Sequence, residues 1–266
     1  MKSVVSRSFD AARLALALAA ASLWMSARAQ LTTVAYDGFN YSAGALAGDN
    51  GGTGWSNAWT WSYSPGASLG VSATGLNYSG LSTTGGSAVW ASGGNGISEA
   101  DRSLPLQDGG IVYLQFLCQF GSSSGGGTPN IRLLDGTTVT GGFGANGGTY
   151  AGVISILNSA LNPAVDGSSS STNLLSSLNL VIGRMDYQNN TTMMWVNPDL
   201  STFNYAAPPT PDATLTNAPI FDGIAIYTRS PGNVDEIKVM TEPVPEPPFF
   251  SLIAAAGILL LFRRRR

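Results

Sequence analysis

The chain has no histidine, a single cysteine and few charges of either sign. Each shortage removes a class of chemistry. Without histidine there is no Ser-His-Asp or Cys-His catalytic unit and no imidazole metal site. With Cys118 as the only cysteine there is no internal disulfide, no zinc finger and no CxxC redox pair. Charged residues make up 11% of the 266 positions, against about 25% in an ordinary soluble protein. The formal net charge is −3, whereas a nucleic-acid binder needs a basic face, so no nucleic-acid partner is expected. What is abundant is glycine, 33 residues, beside a 44% hydrophobic share and six tryptophans. Low charge therefore does not mean disorder. The length fits one sizeable domain with appendages.

Two appendages stand at the ends. Lys2, Arg7 and Arg13 make a basic start, followed by the 12-residue apolar run Leu14 to Met25. Ala27-Arg28-Ala29 then fits a small-x-small cleavage site, with Gln30 as the expected new N-terminus. The run is short for an uncleaved anchor, since a span takes about 20 residues. Residues 1–29 thus read as a signal peptide, a helix handled by an export translocon and signal peptidase. At the other end, PVPEPP (243–248) precedes a 14-residue apolar stretch, Phe249 to Phe262, and then Arg263, Arg264, Arg265 and Arg266. A helix of that length spans about 21 Å, short of a bilayer core of about 30 Å. Flanking arginines can snorkel to cover part of the gap. They also hold that end in the cytoplasm, which places the rest outside the inner membrane.

Pro245-Glu246-Pro247, an apolar helix containing Gly257 and the terminal arginine cluster resemble the PEP-CTERM sorting signal of Gram-negative bacteria. The resemblance covers about 23 residues. It implies an exosortase as partner, a membrane-embedded cysteine transpeptidase or protease. The transmembrane helix would hold the chain in the inner membrane until that enzyme removes the tail. The mature protein would then reach the cell surface or the exopolysaccharide matrix. Pro245, Glu246 and Pro247 would be recognised and would not catalyse.

Residues 30–242 read as one all-β domain. Short alternating runs are separated by Gly, Asn, Asp, Ser and Pro clusters, the pattern of a sandwich or barrel. In Ile111 to Phe120, Val112, Leu114, Phe116, Cys118 and Phe120 share one face, with Gln115 and Gln119 on the other. Cys118 therefore reads as a small buried hydrophobe. Further strands are expected at Asn130 to Leu134, Leu178 to Tyr187, Thr191 to Val196, Ile220 to Thr228 and Val234 to Met240. Gly121 to Pro129 and Val165 to Thr172 read as loops, and a short helix is placed around Ser155 to Leu161.

Three segments carry a second resemblance: YDGFNYSAGALAGDNGGTGWSNAWTW, LNLVIGRMDYQNNTTMMWVNPDLS and FDGIAIYTRSPGNVDEIKV. In this order they resemble laminin G-like domains of the concanavalin A-like class. The resemblance spans about 200 residues and its motifs are loose. It implies an antiparallel two-sheet jelly-roll sandwich with the first and last strands adjacent. Glycoside hydrolases of this fold carry an ExDxxE strand. Here Glu99-Ala100-Asp101 starts that pattern, but Leu104 stands where the last glutamate belongs. Adjacent Asp235 and Glu236 would point to opposite faces of a strand. Retaining hydrolysis needs two carboxyls about 5–5.5 Å apart, so no enzyme is expected.

Related jelly rolls join their first and last strands through a structural calcium. The matching residues are Asp37 and Asp235, with Asp222, Asp49 and Asn50 as weaker candidates. The alternative is that both are surface or turn carboxylates with no ion. Trp55, Trp59, Trp61 and Tyr63 cluster, with Trp90 later, and Trp faces can stack on sugar rings. Trp55 and Trp59 read as packing residues, and Trp61 and Trp90 as the candidate ligand contacts. Gly51-Gly52 and Gly125-Gly126-Gly127 lack the Lys and helix start of a phosphate cradle.

The expected function is that of an exported, non-catalytic surface or matrix protein, with weak polysaccharide binding. The alternatives are a structural or adhesive component without a ligand site, or a carbohydrate-active enzyme. Segment by segment, the charge balance changes. The 30–242 segment keeps five basic residues against 14 acidic ones, a net −9. The mature domain is acidic, which leaves cation binding open.

Overall fold

The computed structural model describes residues 31–63, 69–90, 97–120, 129–145, 153–160, 170–174, 176–229 and 231–242. The signal helix expected over 1–29 and the sorting tail over 243–266 lie outside the described residues. Among those described, no helix is long and apolar enough to cross a membrane. The first eight strands are β1 (Thr32–Asp37), β2 (Gly44–Ala45), β3 (Thr60–Tyr63), β4 (Gly70–Ser72), β5 (Ser87–Trp90), β6 (Ser98–Gln107), β7 (Ile111–Phe120) and β8 (Asn130–Asp135). The next eight are β9 (Thr138–Gly144), β10 (Val153–Leu157), β11 (Ser170–Leu174), β12 (Asn179–Asp186), β13 (Thr191–Val196), β14 (Ala213–Leu215), β15 (Phe221–Thr228) and β16 (Gly232–Thr241).

They form two antiparallel sheets. The nine-stranded sheet runs β14-β13-β12-β7-β16-β5-β4-β2, with β1 also paired to β16. The seven-stranded sheet runs β11-β10-β9-β8-β15-β6-β3. The expected two-sheet antiparallel architecture is therefore present, and the first strand does lie beside the last. Val112, Leu114, Phe116, Cys118 and Phe120 all enter the core between the sheets, meeting Ile131, Leu133, Ile224 and Ile226 from the other sheet. Burial pushes the Cys118 thiol far above its ordinary range, which leaves it an inert packing group.

The helix placed at Ser155 to Leu161 does not form. Ile154 and Ile156 alternate into the core at period two, and Ser155 pairs with both Gly144 and Ser170. Neighbouring strands satisfy the backbone there, so sheet pairing overrides the local pattern. The segment read as a loop to Thr172 likewise enters β11 at Ser170.

The outer face of the nine-stranded sheet is also covered. A second cluster joins Leu76, Tyr113, Leu117, Leu180, Ile182, Trp195 and Met240. Segment 197–212 folds over it, bringing Phe203 and Tyr205 edge-on to Trp195 and Tyr113. Trp195 donates its indole N–H to the Pro209 carbonyl (3.0 Å), and Tyr113 donates its hydroxyl to the Tyr205 carbonyl (2.6 Å). A buried aromatic body with its polar tip satisfied is the low-cost way to cover such a face.

Candidate functional site

Asp37 ends β1 with its side chain turned between the sheets and is 1% exposed. Its Oδ2 accepts hydrogen bonds from Arg102 Nη1 (2.7 Å), Tyr41 Oη (2.6 Å) and Trp59 Nε1 (2.9 Å). Its Oδ1 accepts from the Phe39 amide (2.9 Å). Arg102, also 1% exposed, comes from β6 in the opposite sheet. Its Nε donates to the Asn57 carbonyl (2.7 Å) and its Nη2 to Asn50 Oδ1 (2.9 Å). Its guanidinium carbon lies 5.1 Å from the centroid of Trp55 and 5.9 Å from that of Trp59. Nearby, Asp49 Oδ2 is buried without a hydrogen-bond partner among the described residues. Burial, then the Asp37 charge, raises the Asp49 carboxyl, against the opposing pull of Arg102.

Asp235 faces the other way. Val234 and Ile237 enter the core, while Asp235 accepts the Leu76 amide (2.8 Å) from the segment lying over the outer face. A bulge interrupts the strand at this point. The register of β16 against β7 shifts between Asp235 and Lys238, and Glu236 sits at φ 54°. On its other edge β16 pairs with β5 through Val234 and with β1 from Ile237 onward. Asp235 and Glu236 fill the step between these partners. The extra residue resets the alternation, so the two adjacent carboxylates share the outer face, where simple alternation opposes them. Glu236 accepts the Tyr36 hydroxyl at 2.6 Å and the Thr84 amide at 2.5 Å. The pair thus pins segment 73–86 at two amides.

Asp37 and Asp235 consequently lie on opposite faces of one sheet and cannot share an ion. A cationic guanidinium already sits against Asp37. Among the described residues, no group of three or more acidic, Cys or His side chains is placed to hold a metal. These donors do not fit the calcium expected between the first and last strands. Asp222 is a turn clamp, accepting the Gly136 amide at 2.8 Å.

Burial raises the Asp235 carboxyl to about 7, with the Glu236 and Asp37 charges adding to it and two backbone amides opposing. A folded-state value above the unfolded one favours the protonated, folded form. This contribution is complete below about 3.8 and is lost as pH rises through about 7. Between those limits its slope is at most about 1.4 kcal/mol per pH unit. Urea unfolding from pH 5 to pH 8 should show a fall in stability that Asp235→Asn flattens. An equally steep fall in the variant would assign it to another group.

Beside Glu236, the outer face opens into a cleft of about 340 Å³ lined by Thr33, Tyr36, Thr53, Leu81, Ser82, Gln115, Glu236 and Lys238. Its floor is one cross-strand row, Tyr36–Lys238–Gln115, on β1, β16 and β7. Burial and the bond to Glu236 hold the Tyr36 phenol up at about 12, so it stays a neutral donor. Gln115 accepts the Tyr205 hydroxyl (2.9 Å), leaving its NH2 to donate. Among the described residues of the lining, Lys238 is the one cation.

None of the described tryptophans lines this cleft. Trp90 is 1% exposed, because alternation in β5 turns it inward with Ala88, and its indole N–H has no acceptor among the described residues. It is a core residue, which corrects its reading as a ligand contact. Trp61 pairs with inward-facing Ala100 and is half-buried against the core. Trp59 is buried and Trp55 half-buried, as packing residues. Glu99 lies on the outer face of the seven-stranded sheet, bound to Arg132 (2.8 Å), whose guanidinium stacks 3.5 Å from the Tyr227 centroid. Burial raises the Glu99 carboxyl, opposed by Arg132.

Sequence reading missed Arg102, Tyr36, Gln115 and Lys238. Arg102 carried a signal: it shares the phase of Ala100 and Leu104, two core positions of β6. The cleft residues carried none, since they are distant in sequence and only the bulge brings Glu236 among them.

No protein-family model matches the sequence, and no curated protein does. Solved structures of similar shape exist at low identity. The receptor-binding domain of botulinum neurotoxin mosaic serotype C/D has TM-score 0.44 and 8% identity, over 80% of this chain and 48% of that one. This chain thus spans about half the length of that domain. A structure from work on endo-acting O-glycanases of the human gut microbiota has TM-score 0.44 and 11% identity, over 80% and 100% of the two chains. The exoplasmic/lumenal domain of VIP36 in its Ca2+/Man3GlcNAc-bound form has TM-score 0.39 and 10% identity, over 64% and 85%. These are likenesses of overall shape, and none carries an activity to this chain.

Proposed function

We propose that this is an exported, non-catalytic surface or extracellular-matrix protein. Its concanavalin A-like jelly roll binds polysaccharide weakly at the cleft on the nine-stranded sheet. The observation that carries the reading is the cleft lining: three hydroxyls, an amide, a phenol, a carboxylate and an ammonium around one apolar side chain, Leu81. That mixture of donors and acceptors suits the hydroxyls of a sugar. Tryptophan stacking has no part at this cleft, because Trp59 and Trp90 are buried in the core, Trp55 and Trp61 lie against it, and Trp195 is covered by segment 197–212. Non-catalytic status is supported by the state of the carboxylates. Glu99 is tied to Arg132, Glu236 accepts two hydrogen bonds, and both Asp235 oxygens accept backbone amides. Export through a translocon and exosortase sorting rest on residues 1–29 and on Pro245, Glu246, Pro247 and Arg263 to Arg266.

Binding of the full chain to isolated exopolysaccharide tests the reading. Gln115→Ala with Ser82→Ala should weaken binding about tenfold, which is roughly 1.4 kcal/mol. Unchanged binding would place the ligand elsewhere, and no binding by the parent would favour a structural or adhesive component. Release of reducing sugar would overturn non-catalytic status. Recovery of surface-located protein with Arg266 intact would overturn processing of the tail.

A further inference from the structure

We infer that Arg102 is a built-in cation occupying an oxygen cage that would otherwise take a divalent metal. Four oxygens converge on its guanidinium: a carboxylate from Asp37, an amide carbonyl from Asn50, the backbone carbonyl of Asn57 and the Tyr41 hydroxyl, at 2.7 to 3.1 Å. Asp49, close enough to feel the Asp37 and Arg102 charges, adds a buried Oδ2 that has no partner among the described residues. Carboxylates, carbonyls and a hydroxyl are the donor types of a hard cation such as calcium. The cage is distinct from an Asp37–Asp235 bridge, because all its members lie on the inner side of β1 or in segment 41–57.

The charge balance explains why the metal is excluded while Arg102 is present. One carboxylate of the cage is paired to a fixed positive charge at 2.7 Å. A divalent ion would have to displace a side chain anchored at three nitrogens and set beside the Trp55 and Trp59 rings. Removing the guanidinium reverses the balance. Two carboxylates within electrostatic reach of each other, Asp37 and Asp49, would then have no neutralising cation. Arg102 therefore ties β1 and segment 41–57 to β6 without a metal.

Thermal melting and terbium luminescence of the full chain in mild detergent test this. Trp55 and Trp59 stand against the cage, so a bound terbium ion would be sensitised by them. The parent protein should melt at the same temperature in EDTA and in millimolar calcium, and should give no sensitised terbium emission. Arg102→Ala should melt lower in EDTA, recover by about 5 °C or more as calcium saturates, and bind terbium. Arg102→Met, which keeps an apolar stem against the indoles, is the second variant should the first not fold. Calcium stabilisation of the parent would overturn the inference, as would absence of any calcium or terbium response in both variants.

Discussion

Asp37→Ala should lower the unfolding free energy by about 3–5 kcal/mol, the cost of leaving a buried charge without its partner. The Arg102–Asp37 pair is 1% exposed on both sides, so water cannot replace the lost carboxylate. Surface ion pairs contribute only about 0–1 kcal/mol, and burial is what separates this pair from them. The carboxylate also accepts from Tyr41, Trp59 and the Phe39 amide. All three donors would lose a partner together. Adding Arg102→Met to Asp37→Ala should recover part of the loss, because no uncompensated charge then remains. Urea denaturation of the two single variants and the double variant reads the coupling. A double variant as unstable as the sum of the singles would mean that the pair is not the unit that matters.

Gly54→Ala should cost about 3 kcal/mol or more, a large penalty for one methyl group. Two effects add. Gly54 has φ 78°, a conformation that costs a side-chain-bearing residue about 1–2 kcal/mol. A Cβ there would also overlap the Val34 backbone carbonyl, which cannot rotate away as a side chain can. The close approach is structural: Tyr36 and Thr53 exchange two backbone hydrogen bonds of 2.9 Å, laying segment 52–54 along β1. Gly48→Ala is the control. Gly48 has φ 97° but nothing within 4 Å of a Cβ, so it should lose only about 1 kcal/mol. Equal losses in denaturant midpoint for the two variants would show that the approach to β1 is unimportant. Because Thr53 and Tyr36 both line the cleft, Gly54→Ala should weaken polysaccharide binding as well.

The sandwich was legible because period two survives wherever a strand has one face against the core. Every inward position expected in β7 is inward, and the expected neighbours β12 and β13 pair in one sheet, whereas β15 and β16 follow each other in sequence but go to opposite sheets. Reading failed where the partner strand, not the segment, decides. The stretch after Val153 became β10 because β9 and β11 lie on either side of it. Alternation also left the choice of face open for the tryptophans. It describes Trp59, Trp61 and Tyr63 as repeating on one side without saying which side is inward.

The sequence by itself determined the class of the domain, its acidic character, and the chemistry closed to a chain with no histidine and one cysteine. Those properties come from composition and short-range periodicity, which do not depend on distant partners. The tertiary structure alone decided the placement of charge. Asp37 meets Arg102 only because the two sheets face each other, across 65 positions of chain. Asp235 and Glu236 share a face only because β16 changes partner from β5 to β1 between Val234 and Ile237, and a bulge is the backbone's way of absorbing that step. The absence of metal-binding histidines and cysteines therefore set limits, while Arg102, one of the few charges and buried between the sheets, determines how the acidic end of β1 is neutralised.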